Sequence, residues 1–485
     1  MIEQLQNVNN IYDLLALCCS YILNEFKQST YEFASFNEEK YESVFNAIEN
    51  YITAKEEEGH KKAFDELREF LIDFFRKGIN IEKTYAVVKY IDDLVEIELV
   101  GNLLIDKGII QYATLNLQYT NQIRIIPKLR ETLMTRSEAH YLIESGGKYS
   151  YLRDRRECPC SVLDAVTVNY KIWDKQRIDQ YPLKIYHIEE KNPIAKHFIN
   201  RDRIVLGIVP FTKRKLEDIF DILFEKGCFC INNMKESAEQ ELKKRYVEVY
   251  ERSRKADIDF LIFPEMLMTE NILSSIQEKE KNGGPQIIIN GSIWKDKINR
   301  TIVTNNVGTE ILSYCKKEPF IYKKNNKKYK EHLDRTKNRE YAILEINNVG
   351  RIGICICKDL VNEDVKLFHK YINTDLLVAP AYTKSMDLMS AAEELSKDYK
   401  CIVAVANACS AIEEKEVLED QEKIGFISIP AKKGSERSEI LKFYFKDNCV
   451  KECENKCMGK AINIIFMDTQ EYLGGIGIRI EDENF

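Results

Sequence analysis

The sequence predicts an α/β protein whose layered part is preceded by an all-helical domain. Three observations carry that prediction. Apolar residues recur at three and four through the first third; short apolar runs of strand length recur after Arg203, with charged helical stretches between several of them; and 485 residues at 44% hydrophobic hold more core than one ordinary domain needs. The expected organisation is a helical domain over residues 1–147, a connector with some strand over 148–202, and an α/β domain over 203–485.

Taken in order, the amino terminus MIEQLQNVNNIYDLLALCCSYIL is apolar but carries Asp13, lacks a basic leader and ends in no small-residue cleavage site. It is expected to be a helix, not an export signal. Ile11, Leu14, Leu15 and Cys18, and later Phe64, Leu67, Phe70, Leu71 and Phe74, have helical spacing. Further helices are expected over Tyr41 to Lys55, Glu82 to Asp106 and Pro127 to Ile143, with Gly78, Gly108, Gly146 and Gly147 as stops. Between Lys148 and Arg203 the runs AVTVNYKIW and LKIYHIE alternate like strands, interrupted by Pro159, Pro182 and Pro193. Thereafter RIVLGIV, FLIF, QIIING, TIVTNN, YAILEI, RIGICIC, LLVAPA, CIVAVAN and INIIFM read as buried strands, and Glu236 to Lys255 and Asp387 to Lys400 as helices.

Composition narrows the function classes. With 71 basic against 78 acidic residues the net charge is -7, so no global field holds nucleic acid or an anionic membrane. Fourteen cysteines diluted over so long a chain read as reduced thiols, which places the protein in the cytoplasm. Cys449, Cys453 and Cys457 would share one face of a helix but lack a fourth ligand, and Cys158 and Cys160 stand alone in ECPC; no metal site is expected. The stretch from Lys323 to Glu340 has eight basic residues against three acids and reads first as a solvated loop, with an active-site lid as the alternative.

Three chemically capable residues stand at the ends of expected strands. Glu265 follows DFLIFP, Lys316 follows EILSYC, and Cys357 closes GRIGICIC ahead of Lys358 and Asp359. Attack on an amide or nitrile carbon needs a nucleophile, a base to ionise it and a cation to hold the charge that develops, and cysteine, glutamate and lysine supply these. Cys355, two residues before Cys357, reads as core.

In this order and in these local frames the three residues resemble the nitrilase, or carbon-nitrogen hydrolase, superfamily. The likeness runs through Ala256-Asp257 and Phe263-Pro264-Glu265; through Ile289 to Gly291, Asn299, Gly308, Tyr314-Cys315-Lys316 and Phe320; and through Gly350 to Gly353 with Ile356-Cys357-Lys358-Asp359. LLVAPA and Ala406-Asn407 resemble the later strands. The resemblance implies a four-layer α-β-β-α sandwich, and hydrolysis of a non-peptide carbon–nitrogen bond through a cysteine thioester. An amide is the foremost substrate, with nitrile or carbamoyl compounds as alternatives. No cofactor or metal is implied, and homo-oligomers are expected.

Glu265 would be the base, and Lys316 with the backbone N–H of Lys358 would stabilise the tetrahedral intermediate. Lys330, in YKEHL, competes for the lysine role; the 41 positions from Lys316 to Cys357 favour Lys316 over the 27 from Lys330. Glu331 is a candidate second glutamate, and Tyr382, just past LLVAPA, a candidate pocket residue along with Lys358. The chain departs from the family in having Lys358 and Val361 where an aromatic residue and an arginine are usual. Two rival functions use the same residues: a scaffold or sensor without turnover that binds a protein partner through residues 1–147, and an acyltransferase.

Overall fold

The computed structural model describes residues 1–25, 37–54, 57–94, 102–104, 109–113, 123–127, 170–174, 183–189, 191–199, 201–276, 283–334, 336, 340–347, 349–372, 374–383, 387–399, 401–409, 425–430, 439–443, 458–468 and 476–485. It is a mixed α/β protein that divides into two compact units. One comprises Met1–Gly101, Tyr112–Glu131 and Glu138–Gln180; the other comprises Asn102–Gln111, Thr132–Ser137 and Tyr181–Phe485.

In the first unit, helices Ile11–Glu25, Glu42–Thr53, Glu57–Arg76 and Ile81–Leu94 bury one apolar face each. Phe64, Leu67, Leu71 and Phe75 form such a stripe, together with Leu14, Leu15, Cys18, Val44 and Ile48 from neighbouring helices. Asparagines begin two of these helices: Asn10 Oδ1 accepts from Asp13 N at 2.8 Å and Asn80 Oδ1 from Lys83 N at 2.8 Å.

One expected helix is corrected, and another at its first residue. The one expected over Glu82 to Asp106 ends at Leu94 among the described residues, and Asn102–Leu104 is a strand. Pro127 closes the strand Ile123–Pro127, which pairs antiparallel with Tyr170–Asp174; the remainder of the helix expected to Ile143 lies outside the described residues, as do Gly146 and Gly147. The reason is β-branched crowding: Ile123, Ile125 and Ile126 suit a pleated surface, and a short apolar run has no periodicity long enough to separate the two states.

The second unit is built on two large sheets. In one, strands Leu183–Ile188, Tyr341–Ile346, Gly350–Ile354, Leu376–Ala381, Ile402–Asn407, Gly425–Ile429 and Glu439–Phe443 follow in that order beyond two edge strands, Asn102–Leu104 and Ile109–Ala113. Leu376–Ala381 and Ile402–Asn407 run parallel and are buried at every position, which is why they read as unbroken apolar runs. The strand in LKIYHIE lies parallel to Tyr341–Ile346 from Leu183↔Tyr341 to Ile188↔Ile346, so part of the expected connector belongs to this sheet.

The other sheet orders Ile293–Lys295, Ile298–Asn305, Ile287–Ile289, Phe260–Ile262, Arg203–Ile208, Lys460–Asp468 and Ile476–Asn484, with Glu310–Cys315 also paired to Ile298–Asn305. Helix Glu236–Lys255 packs Ala238, Leu242, Tyr246 and Val249 into a core shared with Val205 and Leu261.

The basic stretch is also corrected, over residues 323–331. Ile321–Lys324 and Lys327–Glu331 form a hairpin in a smaller sheet, turned by Asn325 and Asn326 in the left-handed region, where asparagine is tolerated. Alternation along the second strand leaves Lys328 and Lys330 exposed and buries Glu331. Of its remainder, 335 and 337–339 lie outside the described residues.

Candidate active site

Glu265 comes three residues after Phe260–Ile262, Cys357 three after Gly350–Ile354, Tyr382 one after Leu376–Ala381 and Lys316 one after Glu310–Cys315. Strand ends from both large sheets therefore deliver the side chains, and each is tied down locally. Glu265 N donates to Ala381 O at 3.3 Å and Met266 N to Ser292 Oγ at 2.8 Å. Lys316 N donates to Asn299 O at 2.8 Å. Gly291 lies in the left-handed region and abuts the Glu265 loop so closely that a Cβ there would collide with Pro264 O.

The structure brings Glu265, Lys316, Glu331 and Cys357 together, all buried. Lys316 Nζ lies 2.5 Å from Glu265 Oε1 and 2.8 Å from Glu331 Oε2. Asn299 Nδ2 donates to both carboxyls, at 3.0 Å to Glu265 Oε1 and 2.9 Å to Glu331 Oε1. Phe320 N donates to Glu331 Oε2 at 2.9 Å, so Glu331 is held on three sides. Oε1 of Glu265 is thus occupied, whereas Oε2 is buried without a nitrogen or oxygen partner among the described residues. The thiol of Cys357 interacts with this carboxyl, and Tyr382 N–H donates to the sulfur.

Cys357 itself has φ 48°, the left-handed region that a non-glycine residue occupies only when its surroundings enforce it. The enforcing group is Asp359. Its buried carboxyl accepts from Tyr314 Oη at 3.0 Å, Lys317 N at 2.9 Å, Glu318 N at 2.7 Å and Ile356 N at 3.3 Å. One side chain thereby fastens the turn carrying Cys357 to the chain just past Lys316.

Electrostatics follow from burial and from two carboxyls sharing one ammonium. Burial pushes the Glu265 carboxyl above its usual value, and the Glu331 charge adds to this against the pull of Lys316. Burial alone would lower Lys316, but Glu265 and Glu331 outweigh it and hold the ammonium charged. Burial, and then Glu265, raise the Cys357 thiol well above its usual range, so the resting sulfur is protonated and needs a base. The site can accept a proton from the thiol at Glu265 and donate a hydrogen bond from Lys316, two of whose three N–H bonds go to the carboxylates.

Lys330 is exposed on the hairpin, with its N–H on Gly227 O, and the fold keeps its side chain out of this cluster. Lys358 is partly buried beside the nucleophile turn, and Cys355 is buried with its thiol raised by burial. Asn299 and Asp359 carry structural roles that sequence reasoning did not assign: their neighbours Lys297 and Arg300, and Lys358, read as solvent-facing, and only the fold buries the two side chains. Cys158, Cys160, Cys449, Cys453 and Cys457 lie outside the described residues, and among the described residues no cluster could hold a metal ion. No helix among them is long and apolar enough to cross a membrane.

No family model and no curated protein matches the sequence. Solved structures do match, and among them are members of the nitrilase superfamily. One is Nit3 of Saccharomyces cerevisiae, of branch 10 of that superfamily, at 13% identity and TM-score 0.32, covering 52% of this chain and 92% of that one. The NitFhit protein of C. elegans matches at 16% identity and TM-score 0.32, over 47% of this chain and 56% of its own. A mutant amidase of Nesterenkonia sp. AN1, with acrylamide added at its active-site cysteine, matches at 12% identity and TM-score 0.33, over 53% of this chain and 98% of its own.

Proposed function

We propose that this chain hydrolyses a non-peptide carbon–nitrogen bond, an amide in the first instance, through a thioester on Cys357. The observation that supports the reading is convergence: a buried thiol, a carboxyl with an oxygen free for its proton, and an ammonium clamped between two carboxyls meet at strand ends drawn from distant parts of the chain. Glu265 takes the thiol proton as sulfur attacks the carbonyl carbon. Lys316 Nζ and the N–H of Lys358 hold the oxyanion. As the carbon–nitrogen bond breaks, Glu265 passes the proton to the departing amine; it then takes one from water, which attacks the thioester, and the acid leaves with the thiol restored. Glu331, through Phe320 N and Asn299, keeps Lys316 in place.

In this reading the second unit, which includes the strand Leu183–Ile188 ahead of residue 203, forms a nitrilase-like four-layer sandwich. The helices Ile11–Glu25, Glu42–Thr53, Glu57–Arg76 and Ile81–Leu94 form a module for self-association or a protein partner, and the protein works in the cytoplasm without a cofactor. The deciding experiment is intact mass after incubation with a panel of amides and nitriles. An added acyl mass on the wild type, absent in Cys357→Ala and retained in Cys355→Ala, is the expected result; acylation that follows Cys355 instead would overturn the assignment.

A further inference from the structure

We propose that the substrate carries, on the acyl side of its scissile amide, a neutral group that both accepts and donates a hydrogen bond, such as a hydroxyl or second carboxamide, read by Trp294 Nε1 and Asn299 Oδ1. The inference rests on the hydrolase reading above and narrows its substrate class. Trp294 and Asn299 stand directly opposite one another where Ile293–Lys295 pairs antiparallel with Ile298–Asn305, so both side chains leave the sheet on the same face. That face is the one on which Asn299 Nδ2 meets Glu265 and Glu331.

Because the amide nitrogen is spent on the two carboxyls, Asn299 Oδ1 is turned away from them; exchanging the two would set oxygen against oxygen. Oδ1 is buried and has no hydrogen-bond partner among the described residues, and the same holds for Trp294 Nε1, although the tryptophan is only 8% exposed. Buried indole N–H groups normally find an acceptor, so an orphaned donor and an orphaned acceptor on one face of the catalytic cluster mark a place for a ligand group that answers both. Trp294 belongs to the same apolar cluster as Met266, Leu267, Met268, Phe320 and Tyr382, whose own N–H reaches Cys357. Two carboxyls already stand there against one ammonium, so a carboxylate on the ligand would add a third negative charge to the cluster.

The test uses the full chain and follows alkylation of Cys357 by iodoacetamide, read by peptide mass. Protection is compared for straight-chain amides from propanamide to hexanamide and for the matching series with the terminal methyl replaced by hydroxyl. The expected result is that one or more hydroxyl compounds protect at about 10- to 100-fold lower concentration than their methyl counterparts. Trp294→Phe, which keeps an aromatic side chain but removes the N–H, should erase that advantage, so that the hydroxyl and methyl series then protect at the same concentrations. Equal protection by the two series in the wild type, no protection by either, or an advantage that persists in Trp294→Phe would overturn the proposal. Turnover of either series, lost in Cys357→Ala, reports separately on hydrolysis: preferential protection without turnover would refute the hydrolase reading and leave the pocket assignment supported.

Discussion

At the scale of single residues, the two lysines of the sequence motif have opposite surroundings. Lys316 is buried between two carboxyls and Lys330 is exposed. Lys316→Ala should lower kcat by roughly two to three orders of magnitude through loss of an oxyanion donor, and should cost about 3–5 kcal/mol of stability by leaving two buried carboxyls without a cation. Lys330→Ala should leave both within experimental error; steady-state kinetics and urea unfolding of the pair decide it, and a reversed outcome would move the catalytic lysine to the hairpin. The pH profile belongs to this scale too. Glu265 works as a base only when ionised, and its carboxyl lies above the usual 4.5 through burial and the Glu331 charge. The acid limb of kcat/KM should therefore fall above that value, activity being lost as pH drops through it. Glu331→Gln removes one of the raising charges and should move the limb to lower pH; an unmoved limb would show that the titrating group is not Glu265.

At the scale of elements, the site depends on turns more than on the strands that end there. Gly291 joins Ile287–Ile289 to Ile293–Lys295 in the left-handed region, pressed against Pro264, the residue before the base. Gly291→Ala should cost about 2 kcal/mol or more, because the added Cβ adds both backbone strain and a collision. The Pro264–Glu265 loop would have to move to relieve it, so alkylation of Cys357 and amide turnover should both decline. A fully stable and active Gly291→Ala would mean that the loop yields freely.

At the scale of the molecule, Leu183–Ile188 contributes a parallel strand to the sheet that carries Cys357. A fragment beginning at Tyr181 retains that ladder and bares Leu183–Ile188, an edge blunted by the partly exposed Lys184 and His187, whereas one beginning at Lys196 bares the edge of Tyr341–Ile346, a strand buried at every position. An unpaired apolar edge invites association with other chains. The longer fragment should elute as a discrete species with Cys357 still alkylated at the native rate, and the shorter one should aggregate in size-exclusion chromatography. Equal behaviour of the two would show that this strand is dispensable.

Much of this was legible in the sequence because it is local. The apolar runs LLVAPA and IVAVAN announce buried parallel strands, the spacing of Phe64, Leu67 and Leu71 announces a helix face, and Glu265, Lys316 and Cys357 each follow such a strand. Segments without a long repeat were misread, as at Asn102–Leu104 and at Pro127, since short apolar runs suit a strand or a helix equally until neighbours choose. By itself the sequence determined the order of the reactive residues and the strand ends that present them. Only the tertiary structure decided that Lys316 and not Lys330 meets Glu265, that Glu331 turns inward from a basic hairpin, and that Asp359 locks the nucleophile turn to the chain beyond Lys316. Those choices depend on burial and on contacts between residues 15 to 51 positions apart, whose energies exist only once the sheets have brought them within a few ångströms.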